Sequence, residues 1–263
     1  MSEQQNMIMM TDKKYFKEYL QTIGQQIPDL IKQFNFSKQS VNLDYLTKAS
    51  AVYSSNIEGN SIDLNSFMNY QLNKEKIKAG KELQEIEDLV AAYQFEQENP
   101  LTEENLLKTH HILSKTFLIK SKRGKYRIEP VGVFGSDGLV YLAVEPEFVE
   151  REMAAFFSDI QKFLDETLSA EEMFYYASFI HLRFAHIHPF RDGNGRAARL
   201  LEKWFIAEKL GKQFWQIPSE KYYKDNQAQY YNAINMGVNF YTLNYDKCMN
   251  FLTMLPNCLK FDS

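Results

Sequence analysis

The segment HPFRDGNGRAAR, which runs from His188 to Arg199, combines a base, a carboxylate, two glycines and two arginines. The residues before it, AEEMFYYASFIHLRFAHI, carry apolar side chains at a spacing that predicts a buried helix. Pro189 and the glycines interrupt this pattern, and ARLLEKWFIAEKL then resumes it as far as Gly211. The segment therefore predicts helix, loop and helix, with a loop of the size that suits an anion.

This loop has the composition of a phosphate-binding site. Gly193 and Gly195 let backbone N–H groups face a ligand, and the N-terminus of the following helix favours negative charge. Arg196 and Arg199 are three residues apart, so both guanidinium groups leave one face of the helix and can bind further phosphate oxygens. A carboxylate beside phosphate, that of Asp192, indicates a divalent cation such as Mg²⁺ between the two.

His188 lies at the entrance to the loop and is the group there that titrates nearest to neutral pH, which makes it the candidate general base. Each residue alone has an ordinary structural interpretation as well. A loop glycine often ends a helix, an arginine is often a surface residue, and a histidine often hydrogen-bonds a helix end. Their joint occurrence favours the functional interpretation.

The complete segment resembles the Fic motif, HxFx[D/E]GNGRxxR, at every specified position. Most Fic proteins are nucleotidyltransferases that move AMP from ATP onto a hydroxyl side chain of a target protein. The resemblance implies an all-α, Fic-type helical bundle with a small β-hairpin flap. It also implies that His188 deprotonates the target hydroxyl, that Phe190 anchors the loop, and that Asp192 binds Mg²⁺, or Mn²⁺ in its place. The implied nucleotide-binding residues are Arg191, Asp192, Gly193, Asn194, Gly195, Arg196 for the β-phosphate and Arg199 for the γ-phosphate.

A second motif lies far earlier in the chain, within VNLDYLTKASAVYSSNIEGNSIDL. This stretch predicts a helix at about residues 43–58 that ends at Gly59. Ser54 and Glu58 are four residues apart and share one helix face, an arrangement that is usually no more than a solvated surface. SSNIEG also resembles the Fic inhibitory motif, [S/T]xxxE[G/N]. The resemblance implies inhibitory roles for Ser54, Glu58 and Gly59, with Glu58 forming a salt bridge to Arg199 that removes the γ-phosphate contact.

One stretch, GKYRIEPVGVFGSDGLVYLAVEPEFV, predicts a β-hairpin in an otherwise helical chain. Its β-rich residues on either side of GSDG form two short predicted strands. Its place before the catalytic helices resembles the Fic flap, to which a target peptide adds a strand through main-chain hydrogen bonds. The implied docking residues are Val131, Gly132 and Val133.

Tyrosines and histidines supply the remaining candidates. Most tyrosines in YYKDNQAQYYNAI are expected to pack between helices with a wet hydroxyl. A tyrosine pair after the catalytic helix of Fic proteins lies near the adenine, so Tyr230 and Tyr231 are the candidates for that position. His181 and His186 have no metal-ligand spacing with His188 and are expected to be packed or hydrogen-bonded.

The rest of the chain is predicted to be helical, without repeats or flexible linkers. Further helices are predicted at residues 12–34, 65–77, 81–98, 103–118, 147–166, 171–187, 196–209, 219–236 and 245–256. We expect three regions: an N-terminal helical region over 1–100 with the inhibitory helix, a Fic catalytic core over 101–240, and a C-terminal helix within 241–263. Many relatives with an N-terminal inhibitory helix continue into a winged-helix region, and we expect none here because the sequence stops at Ser263.

Composition excludes several classes of protein. Hydrophobic residues make up 44% and aromatic residues 14% of the chain, which excludes disorder. The net charge of −4 and the lack of a zinc-finger or RNA-binding motif argue against nucleic acid as a main partner. No apolar stretch reaches the ~18 residues of a membrane span, and no signal peptide is recognised. With Cys248 and Cys258 expected as reduced thiols, a cytoplasmic protein is predicted.

The sequence thus predicts a protein adenylyltransferase, with auto-modification as a further activity, that is restrained by Glu58. One alternative uses the same site for removal of AMP or for transfer of another phosphate-containing group. A second alternative is a non-catalytic regulatory module that binds peptides through the flap. Intact Arg196 and Arg199 favour a triphosphate donor, and intact His188 and Asp192 favour catalysis. The protein target is not identified by sequence, and the resemblance implies a homodimer.

Overall fold

The computed structural model describes residues 10–34, 36, 42–76, 78–135 and 138–260, and within them the protein is a helical bundle with one two-stranded sheet. The first helices are α1 (Phe16–Thr22), α2 (Ile27–Gln33), α3 (Leu43–Ile57), α4 (Leu64–Leu72), α5 (Lys81–Glu98) and α6 (Glu103–Leu113). The strands β1 (Gly132–Gly135) and β2 (Gly138–Leu142) follow. The remaining helices are α7 (Pro146–Asp165), α8 (Ala170–Ile187), α9 (Asn194–Leu210), α10 (Ser219–Asp225), α11 (Gln227–Ile234), α12 (Met249–Leu252) and α13 (Met254–Asn257).

Helices α8 and α9 form the centre of the bundle. A capping box of Ser169 and Glu172 starts α8, and every residue over 174–184 is buried. In α9 every residue over 196–207 is buried as well. A helix that is covered on all sides must lie inside the protein. The loop that joins α8 to α9 is therefore held between two fixed, buried elements.

The predicted hairpin is confirmed, and so is the all-α class with a small β-hairpin flap. Strand β1 runs antiparallel to β2, with Gly132 opposite Leu142 and an irregularity after Val133. The Leu142 N–H donates to the Val238 carbonyl at 2.9 Å, which ties the hairpin to the segment after α11. Two residues of the predicted GSDG turn, at 136 and 137, lie outside the described residues.

Three helices that were predicted as continuous are broken, over residues 12–34, 219–236 and 245–256. Pro28 and Pro256 explain two of the breaks, because a proline ring collides with the carbonyl four residues earlier and donates no N–H. Asn226 separates α10 from α11, and its side chain donates to the Tyr222 carbonyl at 2.9 Å, a local bond that competes with a regular helix. The helices predicted at 65–77 and 103–118 end earlier, at Leu72 and Leu113. Within the described part of the chain no helix is both long and apolar enough to cross a bilayer.

Candidate active site

The loop between α8 and α9 owes its shape to two residues in the left-handed conformation. Gly193 has φ 83°, and His188 has φ 52°, the one positive φ outside glycine in the described chain. Because His188 precedes Pro189, it is disfavoured in a helical conformation, and α8 ends there. The left-handed geometry costs a non-glycine residue about 1–2 kcal/mol, which the surrounding contacts must offset.

Asn194 supplies two of those contacts. Its side-chain oxygen accepts from the Phe190 N–H at 2.8 Å, and its amide donates to the Phe190 carbonyl at 2.9 Å. The Phe190 side chain is fully buried. Phe190 thus takes the anchoring position that the motif predicts, and the asparagine of GNG acts here as a brace of the loop.

His110, which sequence reasoning missed, fixes the other side of the loop. Its ring stacks on Phe190 with centroids 3.6 Å apart, and its Nδ1 accepts from the Gly124 N–H at 2.9 Å. The proton must then lie on Nε2, which donates to the Asp192 carbonyl at 2.9 Å. Burial lowers the pKa of His110 to about 4, so the ring stays neutral. In the sequence His110 is an ordinary helix residue, and nothing near it signals this role.

His188 lines the cavity described below, and its ring can act there as a base. Its Nδ1 lies 3.2 Å from the Ala185 carbonyl, and because a carbonyl only accepts, Nδ1 carries the proton. Nε2 has no hydrogen-bond partner among the described residues, so its lone pair is available. Burial lowers the pKa of His188, the Arg127 charge acts in the same direction, and the Ala185 carbonyl and the carboxylates of Glu58 and Asp192 oppose them without reversing the shift. The imidazole is therefore neutral at physiological pH, as a general base requires.

The predicted pair of Arg199 and Glu58 meets in the structure. Arg199 Nη2 donates to Glu58 Oε1 at 2.7 Å and to the Ser54 carbonyl at 3.0 Å, while Nε donates to the Ser54 hydroxyl at 2.9 Å. The Arg199 side chain is 1% exposed, but that of Glu58 is 32% exposed. Two residues of the motif, Ser54 and Glu58, thus hold the same guanidinium from the end of α3.

The Glu58 carboxylate lies against the first turn of α9, beside Gly195. A Cβ placed on Gly195 would lie 2.3 Å from Glu58 Oε1, so only glycine permits this approach. Burial raises the pKa of Glu58, but the charges of Arg199 and Arg196 lower it by a larger amount. The net pKa is therefore below its usual value. An ionised carboxylate thus occupies the helix N-terminus, the end that favours anions.

Three side chains of α10 and α11, Lys224, Gln227 and Tyr231, hold the end of α3, and we call them the α3 latch. Lys224 Nζ donates to the Asn56 carbonyl at 3.1 Å. Gln227 Nε2 and the Tyr231 hydroxyl donate to the Ile57 carbonyl at 2.9 and 2.8 Å. The last carbonyls of a helix have no partner within it, so these bonds decide how firmly the residue after Ile57 is placed. Sequence reasoning missed this role of all three.

The two candidate adenine-site tyrosines occupy different environments, although both line the cavity described below. The Tyr230 hydroxyl is buried between Arg199 Nη1 at 3.2 Å and His181 Nε2 at 2.9 Å. Tyr231 is 45% exposed. His181 bonds the Glu202 carboxylate through Nδ1 at 2.9 Å. The Tyr230 ring is therefore tied to the arginine, and Tyr231 offers the more open ring face.

The histidines beside His188 are hydrogen-bonded, as predicted. His181 has the two partners just described, and His186 bonds the Tyr245 hydroxyl and the Ile234 carbonyl, both at 2.9 Å. Among the described residues no group of three His, Cys, Asp or Glu side chains could hold a metal ion. Both histidines serve the packing of α8.

A cavity of about 560 Å³ brings the candidate residues together. Its size lies in the range of pockets that bind small organic ligands. Flap residues close one side, including Val133 of the predicted docking set, whereas Val131 and Gly132 lie outside the lining. Besides Val133, the predicted site residues that line the cavity are His188, Gly195, Arg199, Glu58, Tyr230 and Tyr231.

Asp192 and the flanking arginines lie beside the cavity. The Asp192 side chain is 57% exposed, its Oδ1 accepts from the Gly193 N–H at 2.6 Å, and it lies 3.8 Å from Arg196 Nη2. The Arg196 guanidinium stacks on Phe117 at 3.9 Å, and its buried Nε has no hydrogen-bond partner within the described part of the chain. Arg191 is half exposed, 4.0 Å from a carboxylate oxygen of Glu129.

This arrangement fits Mg²⁺ only in company with phosphate. Asp192 offers a single solvent-facing carboxylate, and Mg²⁺ is commonly held by one or two carboxylates, water and substrate phosphates. The unpartnered Nε of Arg196 is a donor of the kind that a phosphate oxygen would satisfy. The residues therefore suit a cation that arrives with a nucleotide, not a cage made by the protein alone.

Comparison with known proteins agrees with this geometry. Residues 100–206 match the Fic/DOC family. A stretch of 78 residues is 40% identical to a protein adenylyltransferase Fic from Nematostella vectensis. The match covers 30% of this chain, and the chain spans only 16% of the length of that relative.

Solved structures show the same fold over nearly the whole chain. A Fic family protein from Desulfovibrio desulfuricans superposes with a TM-score of 0.73 at 22% identity, over 94% of this chain and 73% of that one. A Fic domain containing signaling protein from Bacteroides thetaiotaomicron gives 0.65 at 21% identity, over 93% and 92%. A fragment of Fic-1 from C. elegans gives 0.68 at 18% identity, over 93% and 72%. With its motif and the match at residues 100–206, the chain carries a Fic domain, and its fold is shared with Fic family proteins.

Proposed function

We propose that this protein is an adenylyltransferase that transfers AMP from ATP to a Ser, Thr or Tyr hydroxyl of a target protein, and that Glu58 restrains it. The observation that carries the proposal is the contact between Arg199 and Glu58. This buried guanidinium bonds a partly exposed carboxylate at the edge of the cavity that holds the base His188. A γ-phosphate is the anion that would replace Glu58 there.

Chemistry at this site needs a base, an anion hole and an aligned acceptor. His188 Nε2 takes the proton of the target hydroxyl as its oxygen forms a bond to the α-phosphorus, and the bond from that phosphorus to the bridging oxygen breaks, releasing pyrophosphate. The first turn of α9, with Arg196 and Arg199, stabilises the charge on the phosphates. Asp192 would hold Mg²⁺, or Mn²⁺, which neutralises phosphate charge when bound.

The flap would present the acceptor. Strand β1 pairs with β2 alone among the described strands, so its outer edge is open to a further strand. Val133 is 38% exposed at this edge and also lines the cavity. A target segment that adds to β1 through main-chain hydrogen bonds, over Val131, Gly132 and Val133, would bring its hydroxyl toward His188.

Removal of AMP is the second candidate for the same site. The ionised Glu58 carboxylate faces the cavity together with His188, so it could orient a water molecule toward a bound phosphodiester. In that reaction water attacks the phosphorus, and the hydroxyl of the target leaves with a proton. We further propose a cytoplasmic setting, which agrees with Cys248 and Cys258 as buried free thiols. The homodimer and the absence of a nucleic-acid partner stay predictions.

The decisive experiment uses ATP labelled at its α-phosphorus, Mg²⁺ and a cell lysate with wild type, Glu58→Gly, and Glu58→Gly combined with His188→Ala. We expect strong labelling of the protein and of lysate targets by Glu58→Gly alone, and a loss of about 10²–10⁴-fold without His188. Glu58→Gly labelling no better than wild type would refute the restraint, and persistent labelling without His188 would refute its role. Label from the γ-phosphorus instead would indicate phosphoryl transfer, and wild type acting on pre-labelled targets tests AMP removal.

A further inference from the structure

Arg127 is a buried arginine that forms no salt bridge within the described chain, and it lies between the flap and the catalytic loop. Its residue surface is 2% exposed. Nε donates to the His188 carbonyl at 2.8 Å, and Nη2 donates to the Ile187 carbonyl at 3.3 Å. The other bonds go to Val144, whose carbonyl accepts from Nη2 at 2.5 Å, and to Glu129, whose carbonyl accepts from Nη1 at 3.2 Å.

These four carbonyls belong to two different parts of the molecule. Ile187 and His188 end α8 and carry the base. Glu129 precedes β1 and Val144 follows β2, so they are the two roots of the flap. The Arg127 N–H also donates to the Pro189 carbonyl at 2.9 Å. One residue therefore fixes both ends of the hairpin to the backbone on either side of the catalytic histidine.

A purely structural role would not require a charge at this position. Burying a guanidinium among neutral acceptors is costly, and arginine cannot escape the cost by losing its proton. Two features offset that cost. The carbonyls at the C-terminal end of α8 carry partial negative charge, and each of the four would otherwise need another donor.

We propose that Arg127 is a positioning residue that couples the seating of a target strand on the flap to the placement of His188. The inference rests on the proposed adenylyl transfer. Because one planar guanidinium holds both parts, the flap roots cannot shift without moving the carbonyl of the left-handed residue that carries the base. Catalysis is sensitive to such shifts, since a displacement of 1 Å can cost about 100-fold in rate.

The charge of Arg127 provides a readout that packing alone would not change. It lowers the pKa of His188, whereas Glu58 from the end of α3 and Asp192 from the loop raise it. His186, the nearby titratable residue on α8, is neutral because burial lowers its pKa to about 4. Removing the Arg127 charge should therefore raise the pKa of His188. The base would then be protonated at higher pH, and the acid limb of the rate profile would move upward.

The test compares Arg127→Lys, which keeps the charge but not the fork, with Arg127→Gln, which removes the charge. Both are made in the Glu58→Gly background, with Arg123→Gln as the matched control, because Arg123 Nε donates to the Leu118 carbonyl and not to the flap or His188. We expect kcat to fall about 10- to 100-fold in both Arg127 variants with little change in the KM for ATP. In Arg127→Gln alone, the acid limb of the pH–rate profile should move to higher pH, and the pKa of His188 measured by NMR should rise.

The outcomes separate this inference from the proposed function. If the Arg127 variants unfold at lower temperature but keep kcat and the His188 pKa, Arg127 is structural only and the inference is wrong. A rise in the KM for ATP without a fall in kcat would also overturn it. If Glu58→Gly transfers no AMP, the proposed function fails, and the NMR titration of Arg127→Gln still decides whether Arg127 acts on His188. Should Arg127→Gln not fold, the kcat of Arg127→Lys decides.

Discussion

Two ion pairs lie one turn apart on α9, and they differ in the exposure of the acid. Lys203 and Glu220 are sealed, with side chains 1% and 0% exposed, and the Tyr93 hydroxyl donates to the same carboxylate at 2.7 Å. Arg199 is just as buried, but its partner Glu58 is 32% exposed and faces the cavity. The Glu220 carboxylate is enclosed by neighbouring helices, whereas Glu58 is the first residue after α3.

The two cations make the same kind of contact with α3. Arg199 donates to the Ser54 hydroxyl at 2.9 Å and Lys203 to the Ser50 hydroxyl at 3.0 Å. Helix α3 therefore runs antiparallel to α9, and the two contacts are four residues apart on each helix. Removal of the acidic partner of a buried cation strongly destabilises the folded protein unless another anion takes its place. The comparison therefore supports the proposed exchange of one anion for another at Arg199 and indicates a permanent ion pair at Lys203.

The largest expected effect is at the sealed pair. Lys203→Met leaves Glu220 buried without its counter-charge and should lower the free energy of unfolding by about 3–5 kcal/mol, measured by urea denaturation. Glu58→Gln should cost much less, because the glutamine keeps a polar contact and the cavity lets water or another anion reach Arg199. The double change Lys203→Met with Glu220→Leu is the control and should recover much of the loss. A smaller loss for Lys203→Met than for Glu58→Gln would contradict the distinction between the pairs.

The next effect is on ATP affinity at the exchangeable pair. A hydrogen bond to a charged group contributes about 1.5–3 kcal/mol, so Glu58→Gln should strengthen ATP binding by about 10- to 150-fold, measured by calorimetry with Mg²⁺. Glu82→Gln is the matched control, because Glu82 accepts from Ser61 close to the same segment. Equal affinities for wild type and Glu58→Gln would show that Glu58 does not compete with the nucleotide.

The difference between the two pairs also explains what could be predicted from the sequence. Ser54, Glu58 and the loop of residues 188–199 belong to short motifs whose functional residues are close together in the sequence. The structure brings the two motifs together around Arg199. Arg127 and His110 were missed because their partners are backbone carbonyls and amides, which leave no signature in side-chain patterns. Glu220 was missed because its partner, Lys203, is separate in sequence and each looks like a surface charge on an ordinary helix.

A smaller effect is expected at the α3 latch. Gln227→Ala removes one of the two donors to the Ile57 carbonyl, a neutral bond worth about 0.5–1.5 kcal/mol, and loosens the end of α3 without touching the carboxylate. ATP affinity should rise about two- to tenfold, in the same direction as for Glu58→Gln but less. The matched control is Gln213→Ala, because Gln213 donates to the Leu210 carbonyl at the far end of α9. An unchanged affinity would mean that the latch does not govern the position of Glu58.

The smallest expected effect concerns acid stability. The pKa of Glu58 lies below its ordinary 4.5, because the increase caused by burial is smaller than the lowering by Arg199 and Arg196. A lowered pKa in the folded state contributes stability that is present above pH 4.5 and is lost as the pH falls through the folded value. Glu58→Gln should therefore lose less stability than wild type between neutral pH and the acid range, by no more than about 1 kcal/mol because Glu58 is partly solvated. Urea denaturation at several pH values measures the slope. Identical slopes would mean that the Glu58 carboxylate is not stabilised by Arg199 in the folded protein. The Glu58–Arg199 contact would then contribute no stability, unlike the sealed pair of Lys203 and Glu220.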